Sequence, residues 1–528
     1  MATSNPFFEF ITPTIAVAAA ALYYTWLLTG SFNKYFNRLG SLPPGPRRKW
    51  ITGNLHQMPR ERIWTTVQEW SKIYGPLVYV RLLTKEIVFL NDQKSVAEIL
   101  DVNATSTSGR PVHYMTGELG ERKQSVFMTQ GTDPKFRTYR TLLQDGLNPR
   151  AVESYRVIQT KEMEVLLKAL LEAPEDFVAH IRRNSVAVIM KIAYGYQVTE
   201  NNDPFVHIIE DAFQIVRNLS VQGKYWVEFL PILRFLPEWL PGASFKRTAK
   251  VASRLLHRTE EAPYEWAKEN IRGGNHIESF TSKYLTNEHG ELADTETQDA
   301  IKWTSAGLYT GGGDTTVSVM TTFFFLMALY PEVQMKAQKE IDNFVTDRLL
   351  TSDDFDALPY NGAIVKEVLR WGPVVPLGLF HSASEDVLYE GHLIPKGATL
   401  IPNIWQEYRF TSIWAITHDE AIYPKADVFD PSRHLGDNPQ PDPARFVFGY
   451  GRRICPGAHL AQNSLFLNMV NVLALFKISK PLDETGREYT PPAEWVSGVT
   501  MHLKPFNCQV RLRSGEKLSL LPQWENTG

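Results

Sequence analysis

Residues 446–460 read FVFGYGRRICPGAHL, and this stretch constrains the fold more than any other in the chain. Cys455 lies among Gly449, Gly451, Pro456 and Gly457 and follows Arg452 and Arg453. Glycines permit sharp turns and close backbone approach, while nearby cations and free N–H groups lower a thiol's pKa. The apolar pattern after Gly457 opens a helix, whose N-terminus favours negative charge. Together these features predict a thiolate held in a rigid loop. The other cysteine, Cys508 in the sequence NCQV, reads as a small apolar filler.

Two cysteines in 528 residues exclude a disulfide framework and a four-cysteine zinc site. Fifty-five basic against 58 acidic side chains leave a net charge of -3, so nothing in the balance asks for nucleic acid as a partner. With 43% hydrophobic and 21% charged residues the composition is that of a folded globular protein.

Between Glu9 and Lys34 there is no charged residue, and Ile11 to Leu28 is largely apolar. At about 1.5 Å per residue such a helix crosses a hydrocarbon core of roughly 30 Å. Tyr23, Tyr24 and Trp26 stand where interfacial aromatics are favoured, and Lys34, Arg38, Arg47, Arg48 and Lys49 follow, which places the body on the cytoplasmic side. A cleaved signal peptide is the competing reading, but the basic n-region it needs is missing. The expectation is a membrane anchor over 1–35, a basic, proline-rich hinge over 36–50 and one body over 51–528.

In the body, LVYVRLL and EIVFL after Gly75-Pro76 read as paired strands. Helical periodicity dominates thereafter, over Arg150–Ala173, Asp176–Ala193, Phe205–Leu219, Ser244–Arg272, Thr295–Leu329, Pro331–Phe344, Leu358–Trp371 and Ala458–Leu475. The expected class is mostly α with minor β sheets. Within the long apolar helix, Gly311, Gly312 and Gly313 cost about 1 kcal/mol each relative to alanine. They make room either for a flat ligand against the backbone or for a close helix crossing, and Asp314 and Thr315 set an acid and a hydroxyl beside the gap. In KEVLRW, Glu367 and Arg370 share a helical face, as a surface bridge or as a buried pair.

The spacing of Phe448, Gly451, Arg453, Cys455 and Gly457 resembles the haem-binding pattern F-x-x-G-x-R-x-C-x-G of the cytochrome P450 family. Gly311 to Thr316 resembles its A/G-G-x-D/E-T-T pattern, Glu367 and Arg370 its E-x-x-R, and Arg433 in FDPSRH the third member of that buried triad. The likeness runs from Leu42-Pro43-Pro44-Gly45-Pro46 to near the C-terminus, is of the microsomal type and is nearest in character to fungal enzymes of secondary metabolism. It implies the P450 fold behind an N-terminal transmembrane helix, with Cys455 ligating the iron of haem (heme b) and Arg453 meeting a propionate. It also implies that Arg140 and His381 meet the propionates, that Thr315 helps hold the oxygen being activated and that Asp314 relays protons to it. An axial thiolate favours O–O cleavage. The implied activity is monooxygenation of a lipophilic small molecule, terpenoid or polyketide-like. Its electrons come from NADPH through NADPH-cytochrome P450 reductase in the endoplasmic-reticulum membrane, with Lys135, Arg137 and Arg452 as docking charges. The recognition segments fall at Arg110–Gly131, Phe205–Leu219, Val374–Leu379 and Ser497–Met501. A reductase-independent isomerase or dehydratase and a non-catalytic, degenerate haem protein are the alternatives.

Three departures from the family pattern stand out. Phe136 replaces Trp in W-x-x-x-R and loses an N–H donor, His434 follows Arg433 where an aromatic is usual, and Gln406–Trp414 interrupts an otherwise regular NIWAITHD. Those nine residues read either as a retained intron or as a surface loop.

Overall fold

The computed structural model describes residues 42–59, 63–199, 202–219, 223–287, 289–404, 416–496 and 498–521. The expected anchor over 1–35, the hinge up to residue 41 and the 406–414 interruption lie outside the described residues. The longer helices are α1 (Ile63–Tyr74), α2 (Pro134–Leu147), α3 (Arg156–Glu172), α4 (Phe177–Tyr194), α5 (Pro204–Leu219), α6 (Ser244–Arg272), α7 (Thr295–Leu329), α8 (Pro331–Phe344), α9 (Pro359–Trp371) and α10 (Ala458–Leu475). Strands β1 (Leu77–Leu82) and β2 (Lys85–Leu90) form the expected pair, and it is antiparallel. Strand β2 then runs parallel to Thr399–Pro402, and that strand's other side pairs antiparallel with His381–Ser382. The expectation of a mostly helical body with small sheets holds.

The helix expected over 150–173 is two helices, Pro149–Ser154 and Arg156–Glu172, broken at Tyr155. Helices α1 and α2 were not among the eight read from periodicity. In α2 the start is set by Asp133, whose carboxylate accepts from Lys135 N–H at 2.9 Å, with Pro134 as the first helical residue.

Helix α7 organises the body. Asp294 caps it by accepting from the N–H groups of Glu296 and Thr297. Of the described residues it is the one helix long and apolar enough to cross a membrane, yet 78% of its apolar window is buried inside the protein. It is apolar on all sides because it is surrounded on all sides. Phe323, Phe324 and Phe325 are fully buried at its C-terminal end and share one core with residues of α9 and α10. Its N-terminal half passes beside α4, leaving Gly311 and Thr315 on the wall of a cavity.

On either side of the 406–414 interruption the chain is already closed. The N–H and Oγ1 of Thr417 both meet the carbonyl of Ile404, at 3.2 and 2.9 Å. Those partners are thirteen positions apart. Removing nine residues leaves four, the spacing of an α-helical bond. Deletion of Gln406–Trp414 is therefore expected to leave the fold intact, with a loop-closure gain of about 1 kcal/mol. Thermal unfolding and haem content of the deletion variant check this; loss of bound haem would show that the segment holds the site together.

Candidate active site

The loop bearing Cys455 is fixed by its backbone. Cys455 N–H donates to Phe448 O at 2.7 Å, and Gly451 N–H donates to the Asp101 carboxylate at 2.6 Å. Gly451 has φ +52°, and a Cβ there would lie 2.2 Å from Leu100 O, so glycine alone fits. Helix α10 begins at Ala458, directly after Gly457. The Cys455 side chain is open to the cavity although it lies deep in the molecule. That depth pushes its thiol pKa up, while the Gly457 N–H and the Arg140 guanidinium pull it down.

The cavity measures about 310 Å³. On one side lie Gly311, Gly312, Thr315 and Thr316 of α7, and on the other the 447–457 loop and the start of α10. Arg110, Arg140, Arg453 and His381 reach the same space, and among the described residues no carboxylate lines it. Each arginine is bonded to main-chain carbonyls. Arg453 donates to Ser108 O at 2.9 Å and Thr129 O at 2.5 Å, and Arg140 to Ile454 O at 2.8 Å. Arg110 donates to Phe127 O at 3.0 Å and to Leu379 O and Phe380 O at 2.7 Å each.

Burial, with Arg110, Arg140 and Arg452 nearby, pushes Arg453 down to about 8. A guanidinium keeps its proton at any physiological pH, so this shift expresses the cost of holding the charge rather than its loss. Buried charge of one sign, with no acid from the protein, calls for an anionic ligand. An apolar ring carrying two carboxylates, with a metal facing Cys455, matches this donor set, so the residues fit haem.

His381 needs more than proximity. Its Nδ1 lies 3.0 Å from Thr107 O. Burial, helped by Arg110 and Arg453, pushes its pKa down to about 3. The neutral ring spends its N–H on that carbonyl and offers a lone pair at Nε2. It donates to a carboxylate only once the anion's own charge favours its protonation. Phe136, where the family has Trp, lies under Arg453, whose guanidinium carbon sits 4.1 Å from the ring centroid. The lost N–H donor leaves a cation–π contact in its place.

The three glycines do different things. Gly311 and Gly312 line the cavity, but a Cβ on Gly312 would lie 2.9 Å from Ile189 of α4, and one on Gly313 3.3 Å from Ile209 of α5. Ligand space and close helix crossing are thus both served. Thr315 lines the cavity and donates its hydroxyl to Gly311 O at 2.7 Å.

Asp314 does not line it. Its Oδ2 accepts from Thr500 Oγ1 at 2.7 Å and lies 2.8 Å from His502 Nε2, joining α7 to the hairpin of Trp495–Val496 and His502–Leu503. Burial raises its pKa, but His502, Thr500 and Arg182 outweigh that and hold the carboxyl below its usual value. The sequence pattern placed Asp314 and Thr315 together at one gap, whereas consecutive helical residues point about 100° apart.

Glu367 and Arg370 are fully buried, so the surface-bridge reading falls. Arg370 grips the carboxylate through Nε and Nη2, both at 2.8 Å, and Arg433 Nε adds a bond at 3.0 Å. The unexpected His434 completes the group, with Nε2 2.9 Å from Glu367 Oε2. Of the expected docking charges, Lys135 is held by Asp299 at 2.9 Å, while Arg137 and Arg452 are exposed. Of the expected recognition segments, those around Val126–Phe127 and Val374–Leu379 line the cavity; residues 205–219 and 498–501 do not, and Ser497 lies outside the described residues. Arg110, which the sequence assigns to a recognition segment, reaches the cavity beside the other arginines; its signal in the sequence is a lone cation in TSGRPV with no nearby acid.

The sequence profile of the cytochrome P450 family matches residues 43–510. Cytochrome P450 monooxygenase claR of Ampulloclitocybe clavipes is 38% identical over 517 residues, covering 96% of this chain and 92% of that protein. Cytochrome P450 monooxygenase 176 of Postia placenta is 36% identical over 523 residues, covering 97% and 98%. Cytochrome P450 monooxygenase CLM2 of Gibberella zeae is 37% identical over 491 residues, covering 91% of each. A cavity-facing cysteine on a glycine-built loop, a ring of arginines without acids and this similarity over nearly the whole length lead to one conclusion: the chain belongs to the cytochrome P450 family and is a haem-thiolate monooxygenase.

Proposed function

We propose that the chain inserts one oxygen atom from O2 into a lipophilic small molecule of secondary metabolism, terpenoid or polyketide-like. Its electrons come from NADPH through NADPH-cytochrome P450 reductase, and its catalytic body is held at the cytosolic face of the endoplasmic reticulum by residues 1–35. The observation that carries the reading is Thr315, a hydroxyl on the wall of an otherwise mostly apolar cavity that also opens onto Cys455. Haem, which Cys455 would hold, would supply dioxygen activation. The chain supplies the rest. Arg110, Arg140 and Arg453 would hold the anionic edge of haem, and Val126, Phe127, Val374 and Val375 present apolar surface to a substrate. The Thr315 hydroxyl donates to Gly311 O at rest and is the donor closest in sequence to Asp314. Asp314 is the adjacent carboxylate through which a proton would be relayed; at rest it is engaged by Thr500 and His502, so the relay requires it to turn from them toward Thr315. Apolar residues 11–28, followed by basic ones, support the membrane assignment.

Thr315→Ala is expected to keep the red-shifted carbon-monoxide band of the reduced protein while product formed per NADPH falls about tenfold or more and peroxide rises. Carbon-monoxide difference spectra and parallel peroxide and NADPH assays in microsomes check this. Full turnover without NADPH or reductase would favour an isomerase or dehydratase instead.

A further inference from the structure

The loop between Arg110 and Gly131 covers the cavity and is gripped from both sides. Inside, Arg110 donates to Phe127 O. Outside, the guanidinium of Arg122 is buried against Glu260 of α6, which is 1% exposed. Arg122 also donates to Leu256 O at 2.9 Å and Thr259 Oγ1 at 3.3 Å, and lies over Trp303 of α7 at 5.8 Å. Its neighbour Glu121, at φ +58°, turns the other way to accept from Ser253 Oγ at 2.9 Å and to meet His257 Nε2 at 3.1 Å. His257 Nδ1 returns to Glu260 at 3.2 Å.

This clasp is coupled to the cavity by a very short path. Ser125 N–H donates to Arg122 O at 2.9 Å, and Thr129 N–H donates to Ser125 O at 2.9 Å, forming the turn that presents Val126 and Phe127. A Cβ on Gly307 would lie 2.5 Å from Val126 Cγ2, so Val126 is seated on α7 where the helix has no side chain. Phe127 Cζ lies 3.7 Å from the Cβ position of Gly311, over the wall that carries Thr315. A carboxylate on α6 thus fixes, through one guanidinium and one turn, the aromatic ring beside the reaction space.

We infer that Glu260 is a positioning residue for substrate selection: its buried pair with Arg122 sets the height of Phe127 above Gly311, and Phe127 discriminates ligands by bulk. The inference rests on the reading of this cavity as the oxidation site. Uncharging Glu260 leaves a buried guanidinium without its counter-charge, which drives Arg122 and its turn toward water.

The experiment is stopped-flow association of 4-phenylimidazole and of carbon monoxide with the haem-loaded full chain. Glu260→Gln is expected to raise the 4-phenylimidazole rate about tenfold, while the smaller carbon monoxide changes less than about twofold. Phe127→Ala is expected to do the same. The double variant should add nothing further, because the two residues act through one element. Rates that multiply in the double variant, or an E260Q rate equal to wild type, would overturn the inference. Should E260Q not accumulate with haem, Glu260→Asp keeps the charge and withdraws it by one methylene; a wild-type azole rate there would overturn the inference equally. A wild-type chain with no thiolate band in carbon monoxide would overturn the functional reading, and the inference with it.

Discussion

Cys455→Ser is expected to abolish the red-shifted carbon-monoxide band of the reduced protein and to lower monooxygenation more than about 100-fold. Serine's hydroxyl does not ionise at any accessible pH, and oxygen lacks the polarisable electron density that sulfur pushes toward a metal. The loop itself should survive. Its geometry comes from the bond of Cys455 N–H to Phe448 O and from the positive φ of Gly449 and Gly451, none of which involves the sulfur. Haem is then retained through the arginines while the spectrum changes, and spectroscopy beside a haem assay separates the two effects. Cys508→Ser is the control. That thiol is partly buried against the core and does not line the cavity; burial pushes its pKa up to about 12, and its loss should leave the spectrum unchanged.

Glu367→Gln is expected to cost at least about 3 kcal/mol and to prevent accumulation of haem-loaded protein, as read by thermal unfolding and haem content per chain. The carboxylate lies between Arg370 and Arg433 and also accepts from Asp430 N–H at 3.0 Å. Neutralising it leaves two buried guanidiniums facing each other. Burial alone would raise the Glu367 pKa, but Arg370, His434 and Arg433 bring it down to about 2. A carboxyl depressed in the folded state contributes its stability above its unfolded pKa, near 4.3, and loses it as pH falls through the folded value. About 3 kcal/mol should therefore disappear between pH 4.5 and pH 2. Arg370 also donates to Thr417 O at 2.8 Å, so the same cluster holds the strand-end region beside Ile404.

What could be read from the sequence was what the chain writes locally. The pattern from Phe448 to Gly457 spans ten residues, Glu367 and Arg370 share one helical face, and α7 declares itself by a long apolar run. The remainder depends on partners brought together by folding. Arg122 meets Thr259 across 137 positions, and Thr500 meets Asp314 across 186. No periodicity reports such pairings. His434 shows the difference well. In the sequence it is a departure from a family preference; in the fold it is a further donor to a buried carboxylate across 67 positions. Gly311 to Gly313 show the opposite case, where two competing local readings are each right for different residues of one triplet.

Arg110, Arg140 and Arg453 converge on a space whose lining, among the described residues, offers them no carboxylate. Folding without the cofactor must bring like charges together in a poorly hydrated interior, and a dianionic ring is what relieves that repulsion. A ligand that binds the folded state alone stabilises it by mass action. The native enzyme is therefore a stoichiometric product of two biosynthetic routes. Haem supply should raise the folded fraction of this protein at a given level of synthesis.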